Sequence, residues 1–283
     1  MVGVDQDSTF VSDIGGGRPL IFIHALGLST AMWTLQVPVL AQRYRVIRYD
    51  VRGHGLTPYK GEPITIWTLA DDLLALMDLL GLTSVSIIGI SMGGMIAQAF
   101  AISHPERVSA LALISTVSAY SDDARAGLRA RALTVERDGI EPMVAPAIER
   151  WFTEDFRAQA NANPLHQRAS GNFEAEADLY EASIIAAIAK MITTADPNGY
   201  AAACRALADA DLTPHLHNIT CPALIMSGEQ DPAINIQSLN VLKENIANNT
   251  EIVIPNCSHL IPIERASDFN NHMLNFLTGC GYA

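Results

Sequence analysis

The residues Gly89-Ile90-Ser91-Met92-Gly93 match the pattern G-x-S-x-G, which forms a sharp turn between a β-strand and a helix and exposes a serine hydroxyl. A β-branched run at 85–88 predicts the strand, and an apolar stretch at 93–103 predicts the helix. Small residues are needed around the serine because its backbone is strained and the strand and helix approach closely. We interpret Ser91 as a candidate nucleophile.

A serine hydroxyl needs a base that takes its proton, and the base needs an acid that orients it. In hydrolases built on this turn the acid follows the serine along the chain and the histidine comes last. The best candidate acid is Asp231, which lies just past a predicted strand at 223–227, with Pro232 fixing the turn. Glu229 in the same loop is the alternative acid.

The best candidate base is His259, which lies just past a predicted strand at 250–254. Asp231 is separated from it by enough chain for one helix and one strand. Both residues therefore follow strands, and the carboxyl ends of parallel strands share the edge of the sheet where ligands bind. The three placements together predict a catalytic triad of Ser91, His259 and Asp231. By contrast, we interpret His54 as a residue that stabilises a tight turn.

Acyl transfer also needs hydrogen-bond donors for the negatively charged oxygen of its intermediate. The backbone N–H of Met92, the residue after the nucleophile, is one expected donor. The other is expected from the turn His24-Ala25-Leu26-Gly27 after the first buried strand, and we assign it to the N–H of Leu26. These two groups are the predicted oxyanion hole.

The elements around these residues alternate between β-branched runs and helix-like segments, which predicts an α/β fold with a mostly parallel central sheet and helices on both faces. The segment at 121–210 reads as successive helices without a convincing strand, and strands resume after it. We therefore predict a core domain formed by residues 1–120 and 211–283, with a helical cap at 121–210.

Composition excludes several classes of function. The formal net charge of −12 disfavours nucleic acid as a partner. A charge-free window at 82–103 is long enough to imitate a membrane span, but its glycines and its strand–turn–helix pattern argue against a membrane protein. The four cysteines have no zinc-binding spacing and there is no signal-peptide pattern, so we expect free thiols in a cytoplasmic protein. We predict no cofactor and no metal.

Through these motifs the chain resembles an α/β-hydrolase, and within that fold it is similar to the 3-oxoadipate enol-lactonase group. The core motifs that carry the resemblance are the turn after His24, Asp50-Val-Arg-Gly-His-Gly55 and Gly89-Ile-Ser-Met-Gly-Gly94, together with Asp231 and His259. In the cap, Glu149-Arg-Trp-Phe-Thr-Glu-Asp-Phe-Arg157 and Asp196-Pro-Asn-Gly-Tyr-Ala-Ala-Ala-Cys-Arg205 are similar to the same group. The resemblance implies hydrolysis of a small carboxylic ester or lactone through an acyl-enzyme.

An enol-lactone of this kind carries a carboxylate, so the resemblance implies a cation in the pocket. Arg150 and Arg168 are the candidates for it, and Trp151 is a candidate for an apolar wall. The stretch at 158–181 departs from the family pattern, which leaves the substrate open because caps build pocket walls.

Several alternatives share the same residues. Carbon–carbon bond hydrolysis, perhydrolysis and acyl transfer use the same triad, and some proteins of this fold bind small molecules without turning them over. We expect a small-molecule ester or lactone as partner and no membrane partner, and we leave open whether the chain forms a homo-oligomer.

Overall fold

The computed structural model describes residues 9–162 and 184–282. Seven strands form one sheet in the order β1-β3-β2-β4-β5-β6-β7. All neighbouring strands run parallel except β1, which is antiparallel to β3. The strands are β1 Val11–Gly15, β2 Pro19–Ile23, β3 Arg45–Tyr49, β4 Val85–Ile90, β5 Val108–Ile114, β6 Ala223–Gly228 and β7 Asn249–Ile254.

The helices lie between and after these strands. They are α1 Val37–Leu40, α2 Ile66–Leu79, α3 Met92–Ser103, α4 Asp122–Asp138, α5 Val144–Trp151, α6 Glu154–Ala162, α7 Ile184–Thr194, α8 Pro197–Asp209, α9 Ile236–Asn245, α10 Ile261–Glu264 and α11 Ala266–Gly279. The described helices α4 to α8 all fall between β5 and β6. Because part of this insert lies outside the described residues, its boundaries at 121 and 210 stay a prediction.

The central strands are the most deeply buried part of the core. Every residue of β4 and β6 is buried, as expected for parallel strands covered on both faces. Helix α3 is buried from Met92 to Ala101, so its apolar sequence reflects a position inside the protein. Across the parts of the chain that the structure describes, none of the helices has both the length and the hydropathy that a bilayer crossing needs.

One element differs from what the residue patterns predicted. Strand β1 was not expected, because only Val11 of its five residues is buried and the strand lies at the edge of the sheet. An ion pair between Asp13 and Arg45 joins it to β3. Helix α2 begins at Ile66, where the Thr65 hydroxyl caps it by accepting a hydrogen bond from the backbone N–H of Thr68.

Candidate active site

Ser91 lies between the end of β4 and the start of α3. Its φ of 54° is in the left-handed region, where a residue other than glycine is strained. Two hydrogen bonds hold this conformation: the Ser91 N–H donates to the Ile114 carbonyl (2.9 Å), and the Thr116 hydroxyl donates to the Ser91 carbonyl (2.8 Å). The sheet and the loop after β5 therefore fix the serine from two sides.

The glycines of the turn are required by close packing. A Cβ added to Gly89 would lie 2.3 Å from the carbonyl oxygen of Gly93, and one added to Gly93 would lie 2.2 Å from that of Ile23. Neither neighbour is a flexible side chain that could move away. The turn can therefore bring Ser91 to the edge of the sheet only with glycine at both positions.

Asp231 and His259 are hydrogen-bonded neighbours. The Nδ1 atom of His259 lies 2.8 Å from Oδ2 of Asp231, and both side chains are buried. The backbone N–H of Ala233 donates to the other carboxylate oxygen (2.8 Å), which fixes the orientation of the acid. The alternative acid, Glu229, is exposed and accepts a hydrogen bond from the N–H of Asn256. Asp231 is thus the carboxylate that contacts the histidine.

The two predicted oxyanion donors belong to neighbouring strands. Leu26 follows β2, which pairs with β4, and Met92 is the first residue of α3. The first N–H groups of a helix have no acceptor within the helix, so that of Met92 is available to a ligand. The turn at Leu26 is closed by a hydrogen bond from the Leu28 N–H to the Ala25 carbonyl (3.1 Å). Gly27 in this turn has a φ of 77°.

A buried histidine supports the turn at Leu26. The Val51 N–H donates to Nε2 of His24 (2.9 Å), so Nδ1 carries the hydrogen and donates to the Ala25 carbonyl (2.8 Å). Burial lowers the pKa of His24 to about 4, which keeps the ring neutral. The ring of His54 lies 5.2 Å away, and burial lowers its pKa to about 3. The backbone of His54 closes a turn by hydrogen bonds with Val51 and Thr57.

The end of α5 is attached to the loop that carries His259. The Ser258 hydroxyl donates to the Arg150 carbonyl (3.0 Å), and the Leu260 N–H donates to the Trp151 carbonyl (3.2 Å). The Trp151 ring lies nearly parallel to that of His259, with 6.4 Å between their centroids. Trp151 is therefore a wall beside the candidate base.

A carboxylate reinforces the same junction. Glu264 accepts hydrogen bonds from the Ser258 N–H and from both the N–H and the hydroxyl of Thr153. Thr153 lies two residues after the end of α5, and Ser258 directly precedes His259. The helix that presents Arg150 and Trp151 is thus held in a fixed relation to the histidine.

A family model described as alpha/beta hydrolase fold matches residues 18–266. The chain belongs to the α/β-hydrolase family. A 3-oxoadipate enol-lactonase from Acinetobacter baylyi is 32% identical over 255 residues, which cover 90% of this chain and 86% of that enzyme. The predicted fold class and the predicted similarity to enol-lactonases are therefore confirmed.

Two solved structures share the architecture and most of the length of this α/β-hydrolase. The crystal structure of the enol-lactonase from Burkholderia xenovorans has a TM-score of 0.84 at 29% identity and covers 95% of this chain and 96% of its own. A thermophilic esterase from Thermogutta terrifontis, solved with malate bound, has a TM-score of 0.83 at 28% identity and covers 96% and 93%. Enol-lactonases and esterases are carboxylic ester hydrolases, and the predicted enzyme class is confirmed at that level.

Of the residues predicted to bind substrate, Arg150 is half-buried and Trp151 is buried, and Arg168 lies outside the described residues. The pKa of Arg150 is lowered by burial and by the nearby charge of Arg131. Arg131 also lies near Tyr200, and Tyr200 lies near Cys204. This second arginine was missed from the sequence.

A signal for Arg131 is present in the pattern of α4. Its buried residues Leu128, Ala132 and Val135 follow the helical spacing i, i+4, i+7, and Arg131 occupies the i+3 position on the same face. A charged residue on the stripe that faces the core indicates a role inside the protein. The neighbouring Arg129, by contrast, lies off this stripe and pairs with Asp209 (2.6 Å).

Proposed function

We propose that this protein hydrolyses a carboxylic ester or lactone with Ser91 as nucleophile, His259 as general base and Asp231 as the acid that orients it. The observation that carries the proposal is the buried contact of 2.8 Å between His259 Nδ1 and Asp231 Oδ2, formed at the strand edge to which the turn delivers Ser91. With Nδ1–H donating to the carboxylate, the lone pair of the histidine is on Nε2, the atom that acts as base in such triads.

The proposed reaction has two steps. His259 takes the proton of Ser91 as the serine oxygen attacks the carbonyl carbon, and the N–H groups of Leu26 and Met92 stabilise the negative oxygen. The histidine then protonates the leaving oxygen, and an acyl-enzyme remains until water, activated by the same histidine, releases the acid. For an enol-lactone the leaving enol converts to a ketone, which favours hydrolysis.

We further propose that the substrate carries a carboxylate. Among residues 9–162 and 184–282, no carboxylate forms an ion pair with Arg131 or Arg150, although both guanidinium groups are half-buried and close enough to repel each other. A bound anion would relieve the repulsion between these two half-buried cations. The resemblance to enol-lactonases and the malate bound to the related esterase support an organic acid in this position.

The nucleophile is tested by labelling with an organophosphonate, which reacts with activated serines. Wild type should be labelled and Ser91→Ala should not, and Ser91→Ala should lose all measurable hydrolysis. Label on the variant, or hydrolysis within about tenfold of wild type, would contradict the proposal, since loss of a triad serine costs far more than that.

The substrate class is tested with a panel of lactones, simple esters and β-diketones assayed with one purified sample. We expect hydrolysis of lactones or esters, with preference for members that carry a carboxylate. Cleavage of β-diketones alone would point to carbon–carbon bond hydrolysis, which uses the same triad.

A further inference from the structure

Tyr120 is a half-buried residue whose backbone is held where the chain enters and leaves the helical insert. Its neighbour Ala119 pairs in antiparallel fashion with Asp211, which joins the two connections. The Arg125 guanidinium donates to the Tyr120 carbonyl (2.8 Å). These two contacts hold the backbone at Tyr120 in place.

The hydroxyl of Tyr120 lies near the nucleophile. The side chains of Ser91, Asp231 and Arg131 are all close enough to influence its pKa. Burial raises the pKa of Tyr120 to about 12. The phenol therefore keeps its proton, and can donate a hydrogen bond, throughout the pH range in which a neutral histidine acts as base.

The sheet order decides on which side of Ser91 this hydroxyl lies. Strand β4 has β2 on one side and β5 on the other. The Leu26 turn follows β2, whereas Tyr120 follows β5 on the side that also carries β6 and β7, with Asp231 and His259 after them. Tyr120 is thus separate from the predicted oxyanion hole and lies on the side of the histidine that protonates the leaving group.

We propose that Tyr120 is a further catalytic residue, whose hydroxyl donates a hydrogen bond to the oxygen of the leaving group. The role rests on the proposed serine-hydrolase function. As the bond from Ser91 Oγ to the acyl carbon forms, the bond to the leaving oxygen breaks, and that oxygen keeps the electron pair. It receives the proton that His259 took from Ser91, and Tyr120 retains its own proton throughout.

This role predicts that the rate loss on removing the Tyr120 hydroxyl depends on the leaving group. A hydrogen bond to the leaving oxygen contributes most when that oxygen carries more charge and is more basic. A tyrosine that only shaped the pocket would affect good and poor leaving groups equally. Comparing how much the loss of the Tyr120 hydroxyl slows each of the two reactions therefore distinguishes a catalytic role from a role in shaping the pocket.

The experiment measures the rate at which Ser91 is phosphonylated by two organophosphonates that differ only in leaving group, p-nitrophenoxide and the more basic phenoxide. Tyr120→Phe keeps the ring and removes the hydroxyl. We expect it to slow the p-nitrophenyl reaction by less than about threefold and the phenyl reaction by about thirtyfold, the range between an ordinary hydrogen bond and a transition-state donor. If Tyr120→Phe folds poorly, Tyr120→Leu, which removes the ring as well, is used instead. It should show the same dependence on the leaving group.

Tyr44→Phe is the matched control. Tyr44 is a buried tyrosine just before β3, at the opposite edge of the sheet, and its hydroxyl has no hydrogen-bond partner among the described residues. Its removal should leave both rates unchanged. Equal slowing of both reagents by Tyr120→Phe would overturn the role of Tyr120 alone, whereas a wild type that neither reagent labels would overturn the serine-hydrolase function itself.

Discussion

The Thr116 hydroxyl donates a hydrogen bond of 2.8 Å to the carbonyl of Ser91 and so helps to hold the strained backbone of the candidate nucleophile. Thr116→Val has nearly the same shape but cannot donate. We expect it to lower the free energy of unfolding by about 0.5–1.5 kcal/mol, because the Ser91 carbonyl keeps the N–H groups of Gly94 and Met95 as donors but loses the hydroxyl. We also expect hydrolysis to slow by about tenfold, because the serine is held less firmly.

Thr116→Ser is the control, since it keeps the hydroxyl and removes only a methyl group. It should be closer to wild type than the valine variant in both denaturant unfolding and rate. A valine variant with wild-type stability and rate would show that the sheet alone fixes the turn.

The close approach at Gly93 gives a second prediction. Gly93→Ala would place a Cβ 2.2 Å from the Ile23 carbonyl, and both atoms belong to rigid backbone. We expect a loss of more than about 3 kcal/mol in unfolding free energy, or failure to fold, since overpacking of this severity exceeds ordinary core strain. Gly127→Ala in α4 is the matched control, because its added Cβ would meet no atom within 4 Å.

Gly127→Ala should raise stability by about 0.5–1 kcal/mol, since alanine is the better helix former. Urea unfolding measures the free energy of unfolding of both variants. An alanine at 93 that is tolerated as well as one at 127 would contradict the close packing of the turn.

The neutral His24 predicts that acid weakens the fold. Its pKa of about 4 in the folded protein is below its value of about 6.5 in the unfolded chain, so the unfolded chain binds more protons between these limits. This contribution to stability is complete above about pH 6.5 and is lost as the pH falls toward about 4. From about pH 7.5 to about pH 5 it amounts to a loss on the order of 2 kcal/mol.

His24→Gln keeps an acceptor for the Val51 N–H but does not titrate in this range. Its unfolding free energy, measured in urea at both pH values, should fall by about 2 kcal/mol less than that of wild type. Equal losses in the two proteins would mean that His24 is not a source of the acid sensitivity. The buried His54, whose pKa is lowered to about 3, should leave part of the sensitivity in the variant.

Local patterns predicted the strands that precede Ser91, Asp231 and His259. Strands β4 and β6 are short apolar runs that are buried throughout, and β7 ends in the β-branched run at 252–254. The edge strand Val11–Gly15 was not predictable in this way, since its half-exposed residues show little hydrophobic pattern. Its position depends on pairing with β3, which is a contact between distant parts of the chain.

Within the site, too, some features follow from the local sequence and others depend on contacts between distant parts of the chain. Arg150 and Trp151 were selected by resemblance, but their attachment to Ser258 and Leu260 depends on how the insert packs on the core. Tyr120 follows β5 without any motif, and its position near Ser91 became apparent only from the folded structure. The positions of residues contributed by the insert and its connections could therefore be determined only from the structure.

The pair of arginines predicts selectivity for charge. Arg131→Gln should reduce kcat/KM for an ester or lactone that carries a carboxylate by about 10- to 100-fold, which corresponds to loss of a charged hydrogen bond. For the same substrate with that carboxylate converted to a neutral amide, the change should stay below about threefold. Arg150→Gln should behave similarly, and Arg131→Lys should keep part of the selectivity because it keeps the charge.

Arg129→Gln is the control for this prediction, because Arg129 lies on the same helix but is exposed and pairs with Asp209. It should leave both substrates unaffected. Equal losses on the charged and the neutral substrate in the Arg131 and Arg150 variants would show that the arginines support the fold of the insert, and the proposed carboxylate would then have no partner here. A selective loss would locate the charged end of the substrate near Arg131 of α4 and Arg150 of α5, the two arginines that lie close to Tyr200.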